Sequence, residues 1–282
     1  MKVAVCLSGL TRGVKFTVKD IIKYLVEPYD ADLFVHTWDI ESGGGRSANR
    51  FKAVSDNWKT QDEKISFFTN HLNKEKNYSD YSVEAYEDQE WNYLKGDIEG
   101  STITPASYSW YRSNELKKKR EKELGFKYDI VIRSRMDSLY EEPIPAKEIN
   151  QCLKNDKLLF VSTSLLDWGE KTIRNSFWFE PAPKNMPFVA DNFAFGSSSV
   201  MDTYCSLYPN ILKIKEQYDD PKSWGKYKVY QPPPPECLLG LLLKNDNIST
   251  QRSSLEFMRL VELREERGVF EKNYQGTLRK IK

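Results

Sequence analysis

The sequence predicts an α/β fold, a Rossmann-like mixed central sheet flanked by helices, and three observations carry that expectation. Short apolar runs suited to buried strands, around Val3–Leu7, Leu33–Val35 and Ile130–Ile132, alternate with stretches of helical spacing. The runs end abruptly in small or polar residues, as strands do where an open α/β sheet offers its carboxyl edge to a ligand. At 282 residues the chain can bury a sizeable core, and we expect one compact unit spanning 1–282.

In chain order, 2–8 is a buried strand and Gly9–Gly13 the turn after it. Val14, Val18, Ile21, Ile22 and Leu25 then sit at helical spacing over 14–27, with Pro28 as a stop. The next strand, Ala31–Thr37, leads into His36-Thr37-Trp38-Asp39 and a glycine run at 43–45. Between 41 and 105 no period is sustained. We expect loops there, with a helix near 60–72 and a strand near 81–86. Tyr108–Leu124 is a helix-forming run, and its basic tract Lys117–Arg120, interleaved with Glu115, Glu121 and Glu123, reads as a solvated face. Further strands are expected at Lys157–Thr163, Ser176–Glu180 and Asp191–Gly196, the last entered through the polar pair Asp191-Asn192. Helices are expected from about Ser198 to Glu216, from Glu236 onward, and over 253–267, ahead of a basic tail.

Composition narrows the function classes. The net charge of +1 gives no global pull toward nucleic acid or an anionic membrane, so any anion site must be local. The four cysteines, Cys6, Cys152, Cys205 and Cys237, are far apart and there are only two histidines, which argues against a structural zinc site and for reduced thiols in a cytoplasmic protein. No run approaches the roughly 20 apolar residues of a membrane span.

Four constellations carry chemistry. Ser8-Gly9-Leu10-Thr11-Arg12-Gly13 follows the first strand, where free backbone N–H groups and the Arg12 guanidinium suit a phosphate or a base edge, although the glycines equally suit a tight turn. It has neither the Gly-Lys-Ser/Thr ending of a P-loop nor GxGxxG. At the end of the second strand, Asp39 could bind ribose and Trp38 could stack on a planar ligand; a core Trp with Asp39 capping the loop is the competing expectation. In YDIVIRSRMDSLY, residues 128–140, Arg133, Arg135 and Asp137 fall two apart beyond an apolar strand. Two guanidiniums and a carboxylate there suit a phosphorylated ligand with a divalent cation, or a structural Arg135–Asp137 ion pair. Asp191-Asn192 precedes the apolar FAFGS, and Glu236 opens a helix. Either carboxylate could act as a general base toward an acceptor hydroxyl, with Asp191 preferred.

Taken together, Ser8-Gly9 with Arg12, DLFVHTWD over 32–39, YDIVIRSRMD over 128–137 and DNFAFG over 191–196 resemble small soluble glycosyltransferases of the GT-A type, encoded by large DNA viruses and by bacterial capsule or surface-polysaccharide clusters. The resemblance runs in order from residue 2 to about 245, patchily between 41 and 105. It implies a GT-A-like domain with a nucleotide-sugar-binding half over 1–140, an acceptor-binding half over 141–250, and a C-terminal helix and tail over 251–282. By that resemblance Asp137 stands in the metal-binding DxD motif, Ser109, Trp110 and Arg112 lie near the donor, and Asp191 lies by the sugars. Arg135 occupies the place of the first Asp of DxD. Metal dependence on Mn²⁺ or Mg²⁺ is therefore left open, and Arg12, Arg133 and Arg135 share the neutralisation of the diphosphate. The implied partners are a nucleotide-sugar donor, with a UDP-sugar expected, and a glycan acceptor. The competing expectations are a noncatalytic nucleotide- or glycan-binding module and a sugar-phosphate nucleotidyltransferase, the latter lacking its glycine-rich loop with a lysine.

Overall fold

The computed structural model describes residues 1–11, 13–40, 58–72, 78–86, 103–161, 189–220, 235–255 and 257–259. Arg12, the expected strand at Ser176–Glu180 and the chain beyond 259 lie outside the described residues.

Strand β1, Val3–Gly9, is the axis of the fold, and every residue from Val3 to Leu7 is buried. A strand apolar on both faces must be covered on both, which places it in the middle of a sheet. It pairs in parallel with β2, Asp32–Trp38, on one side and with β4, Ile130–Arg135, on the other. Strand β3, Ser79–Glu84, extends the sheet beyond β2, two residues earlier than its alternation suggests. Beyond β4 come β7, Phe193–Gly196, then β6, Leu158–Val161, and β8, Ser249–Arg252. Among the described residues the sheet therefore has seven strands in the order β3-β2-β1-β4-β7-β6-β8, and β7 runs antiparallel to both its neighbours. The expected mixed sheet is observed.

Helices cover the two faces. On one side α1, Val14–Ile21, and α4, Ala146–Lys154, bury Val14, Val18, Ile21, Ile149 and Cys152 against Val5, Leu7, Ile130 and Ile132. Helix α2, Gln61–Leu72, adds Phe68 to the same cluster. On the other side α3, Ile103–Leu124, packs with α5, Ser198–Cys205, α6, Leu207–Asp219, and α7, Pro235–Asn245. They bury Trp110, Tyr204, Ile211 and Leu239 over Cys6, Val131 and Ala194. Full burial of each such large apolar side chain is worth about 1.5–3 kcal/mol, so the sheet is held by its two covered faces rather than by its edges. All four cysteines are buried free thiols.

Three expectations are corrected. The single helix expected from Ser198 to Glu216 is two, broken at Ser206. Pro209 accounts for the break: its ring would clash with the carbonyl four residues earlier in a continuous helix, whereas the first turn of α6 tolerates it. The chain from 253 does not begin a helix. After β8 it turns at Ser253-Ser254 and forms β9, Phe257–Arg259, antiparallel to β5, Ser138–Tyr140. The turn is fixed by the Glu148 carboxylate, which accepts from Ser253 Oγ at 2.6 Å and from Ser254 N and Oγ at 2.7 Å each. Finally, the Lys117–Arg120 tract is not wholly solvated. Lys117 is fully buried and its Nζ lies 3.2 Å from Glu121, 2.7 Å from Asp202 and 2.7 Å from Ser198 Oγ, tying α3 to α5.

Candidate functional site

The order β3-β2-β1-β4 contains a topological switch point. The chain leaves β1 to build the sheet outward through β2 and β3, then returns through α3 to β4 on the other side of β1. In open α/β sheets the crevice at the carboxyl ends of the two strands flanking such a point is where ligands bind. Here those ends carry Ser8-Gly9 and Arg133-Ser134-Arg135, and the register aligns Ser8 with Arg135. Because β7 is antiparallel to β4, its beginning rather than its end lies at this edge, which brings Asp191 and Asn192 to the crevice.

A guanidinium joins the three strands. Arg133 is only 2% exposed; its Nε donates to Ser8 Oγ at 3.2 Å, its Nη1 donates to the Asp191 carbonyl, and its Cζ stands 4.8 Å from the centre of the Trp110 ring. Among the described residues no carboxylate is within ion-pairing distance of it. Arg135 behaves differently. Its Nε and Nη2 meet the two oxygens of Asp137 at 2.7 and 2.8 Å, a bidentate pair in a turn after β4. The three charges expected on one face are thus divided between an ion pair and a deeper cation with no carboxylate partner among the described residues.

The segments that carry the candidate bases are tied together. Val189 N donates to the Glu236 carbonyl at 3.1 Å, which ties the first turn of α7 to the segment leading into Asp191. Tyr204, fully buried, donates its hydroxyl to the Ala190 carbonyl at 3.2 Å. Burial drives its phenol far above the ordinary value; the charge of Arg133 opposes that rise and those of Asp191 and Glu236 add to it, so all three side chains act on one hydroxyl. Asp191 and Glu236 are both part-exposed.

Several other expected site residues brace the edge. Gly9 takes φ +114°, a conformation L side chains rarely adopt, and its N–H donates to Ser109 Oγ at 2.8 Å. The same Oγ lies 2.8 Å from His36 Nδ1, and His36 Nε2 lies 3.4 Å from Glu84. Burial lowers the His36 pKa, outweighing the upward pull of Glu84. Glu84 also accepts from Tyr108 at 2.8 Å and from Arg112 Nε at 2.7 Å. Burial alone would raise its carboxyl, but the nearby His36 imidazole and the bonds from Arg112 and Tyr108 hold it well below the usual range. Ser109, His36 and Glu84 form a serine–imidazole–carboxylate chain, yet Ser109 and His36 are fully buried, so the chain supports the edge rather than meeting a substrate.

Trp38 is a core residue. It is 1% exposed, with Tyr108 stacked on it at 5.4 Å, and offers no open face to a planar ligand. Asp39 accepts the Tyr86 N–H at 2.9 Å, tying the end of β2 to the chain after β3; the glycine loop after it lies outside the described residues. Thr11 is buried and accepts from Trp58 Nε1 at 3.1 Å. Thr37 is also buried, and its hydroxyl has no hydrogen-bond partner among the described residues.

The sequence names Asn192 beside Asp191 but gives it no role of its own. Its side chain is 1% exposed, and among the described residues neither its oxygen nor its nitrogen has a hydrogen-bond partner. Native proteins rarely leave a buried carboxamide unsatisfied, because the cost is about 1–3 kcal/mol. The available signal was a carboxamide directly ahead of a strand otherwise wholly apolar. No protein-family model matches the chain, and no curated protein matches it.

Proposed function

We propose that this chain is a GT-A-like glycosyltransferase that moves a sugar from a nucleoside diphosphate donor, a UDP-sugar by preference, to a hydroxyl of a glycan acceptor. The single observation that carries the reading is the Arg133 bridge from Ser8 on β1 to Asp191 ahead of β7. It ties a switch-point crevice suited to a nucleotide to a segment bearing a part-exposed carboxylate. In the proposed reaction the acceptor oxygen bonds to the anomeric carbon as the bond from that carbon to the diphosphate oxygen breaks. The electron pair leaves with the nucleoside diphosphate. With inversion, the acceptor proton passes to the Asp191 carboxylate, with Glu236 as the reserve base. Arg133, with Arg12, favours the charge developing on the leaving group, and Arg135, its charge largely offset by Asp137, adds less.

Asp137 does not fit a divalent cation in this arrangement. Both its oxygens accept from Arg135, so a cation binding this carboxylate would have to compete with that ion pair. The proposed reaction therefore has no step through a metal at Asp137, whose carboxylate instead orients Arg135 toward the crevice. The same ion pair favours a second reading, a noncatalytic nucleotide- or glycan-binding module. A screen of nucleotide sugars separates the two: release of free nucleoside diphosphate from at least one donor, faster with a glycan acceptor present, supports the transferase. Binding without consumption of any donor, with or without Mn²⁺, leaves the module.

A further inference from the structure

At the carboxyl edge of the sheet, Arg133 has no carboxylate partner and Asn192 no hydrogen-bond partner among the described residues. A buried guanidinium whose described partners are a hydroxyl, a carbonyl and an aromatic face is solvated but not neutralised. Asn192 follows directly on the residue whose carbonyl Arg133 holds, and lies two positions ahead of Ala194, the register partner of Arg133. Its carboxamide is buried and, among the described residues, unpartnered at both ends. Ser8 Oγ acts as acceptor toward Arg133, which leaves its own proton to be donated. A cation without a described counterion, an amide with two spare N–H donors and a hydroxyl proton are all donors to a negative oxygen.

We propose that Arg133, Asn192 and Ser8 form an oxyanion subsite, distinct from the Arg135–Asp137 ion pair. The oxyanion is either a phosphate oxygen of the donor or a carboxylate on the transferred sugar. Arg133 supplies the charge and a planar fork, Asn192 a second donor, and the Asn192 carbonyl accepts from a neighbouring ligand hydroxyl. This subsite rests on the glycosyltransferase reading and decides what the crevice selects.

The test is thermal denaturation of the full chain with inorganic pyrophosphate, glucuronate or glucose, in the wild type and in Asn192→Asp. The substituted carboxylate would sit beside Arg133 and act as the missing anion. The expected result is a rise in midpoint with pyrophosphate or with glucuronate, and none with glucose. Asn192→Asp should raise the midpoint of the free protein, abolish the anion-induced rise, and weaken anion binding on the order of tenfold or more, since like charges then face each other. A response to pyrophosphate alone assigns the phosphate, and a response to glucuronate alone assigns an acidic sugar. Asn192→Ala provides a control for misfolding: it should weaken the anion response without raising the free midpoint. No response to either anion, or an equal response in wild type and both variants, overturns the subsite. UDP distinguishes the two levels of inference. UDP that binds wild type and Asn192→Asp alike, with no anion effect, sinks the subsite and keeps the nucleotide reading. Anions that bind through Asn192, with UDP no better than pyrophosphate and no donor consumed, keep the subsite and sink the transferase.

Discussion

Lys117 and Arg133 are both buried cations, on the same side of the sheet, and they are treated in opposite ways. Lys117 is met by two carboxylates, Glu121 and Asp202, and a serine hydroxyl, and Lys127 reaches the same two acids from outside at 2.8 and 3.4 Å. Among the described residues Arg133 is met by neutral groups alone. Burying a charge costs several kcal/mol unless a counterion and hydrogen bonds offset it. The Lys117 cluster offsets that cost within the chain, so it serves structure. The Arg133 site leaves the offset to something outside the described chain, and it does so at the edge of the sheet where ligands bind.

The largest expected effect falls on the ligand side. Asp191→Asn should lower transfer about 100- to 10,000-fold if the reaction inverts, equivalent to about 3–5 kcal/mol of barrier, while donor binding measured by calorimetry stays within a few-fold. Full transfer by the variant would remove Asp191 as the base. On the structural side, Lys117→Met strands Glu121 and Asp202 and should cost about 3 kcal/mol in urea denaturation, at the low end for a broken buried pair because Lys127 remains. Nucleotide binding should not change.

Acid sharpens the contrast. In Glu121 burial works to raise the carboxyl, but the bonds from Lys127, Ser198 and the Tyr128 N–H and the charge of Lys117 prevail and lower it. Asp202 is lowered likewise by Lys117, Asn114 and Lys127 against its own burial. Carboxyls depressed by folding contribute stability that is complete above their unfolded values and lost as pH falls through their folded ones. Urea stability should therefore hold steady down to about pH 5 and decline below about pH 4, and Lys117→Met should show a shallower decline. An equal decline in both proteins would take the cluster out of the acid response. The smallest effect is at Glu148. Glu148→Gln loses one acceptor oxygen for the Ser253–Ser254 turn and should cost about 1–2 kcal/mol, without altering any ligand response.

Much of this layout is legible in the residues themselves. The β-branched run Ile130–Ile132 and the apolar Val3–Leu7 can satisfy both faces only as central strands, and the polar residues after them must then lie at the sheet edge. What a linear reading misses is decided by partners far along the chain. Arg133 meets Asp191 across 58 residues and Lys117 meets Asp202 across 85, so neither the bridge nor the burial of Lys117 can be seen from local spacing. The Arg135–Asp137 pair is two residues apart and is readable as one of two alternatives, and the ion pair forms in the structure. Asn192 is given no role of its own because a carboxamide after an aspartate looks like an ordinary turn until its burial is known.

The central claim, that the edge holding Arg133 is a nucleoside-diphosphate site, is tested most directly by calorimetric titration of UDP into the wild-type chain with and without Mn²⁺. Saturable binding at a single site is expected without the metal, because guanidiniums rather than Asp137 receive the diphosphate. Absence of binding under either condition would contradict the claim, and binding that appears only with Mn²⁺ would return Asp137 to a metal and overturn its role as the anchor of Arg135.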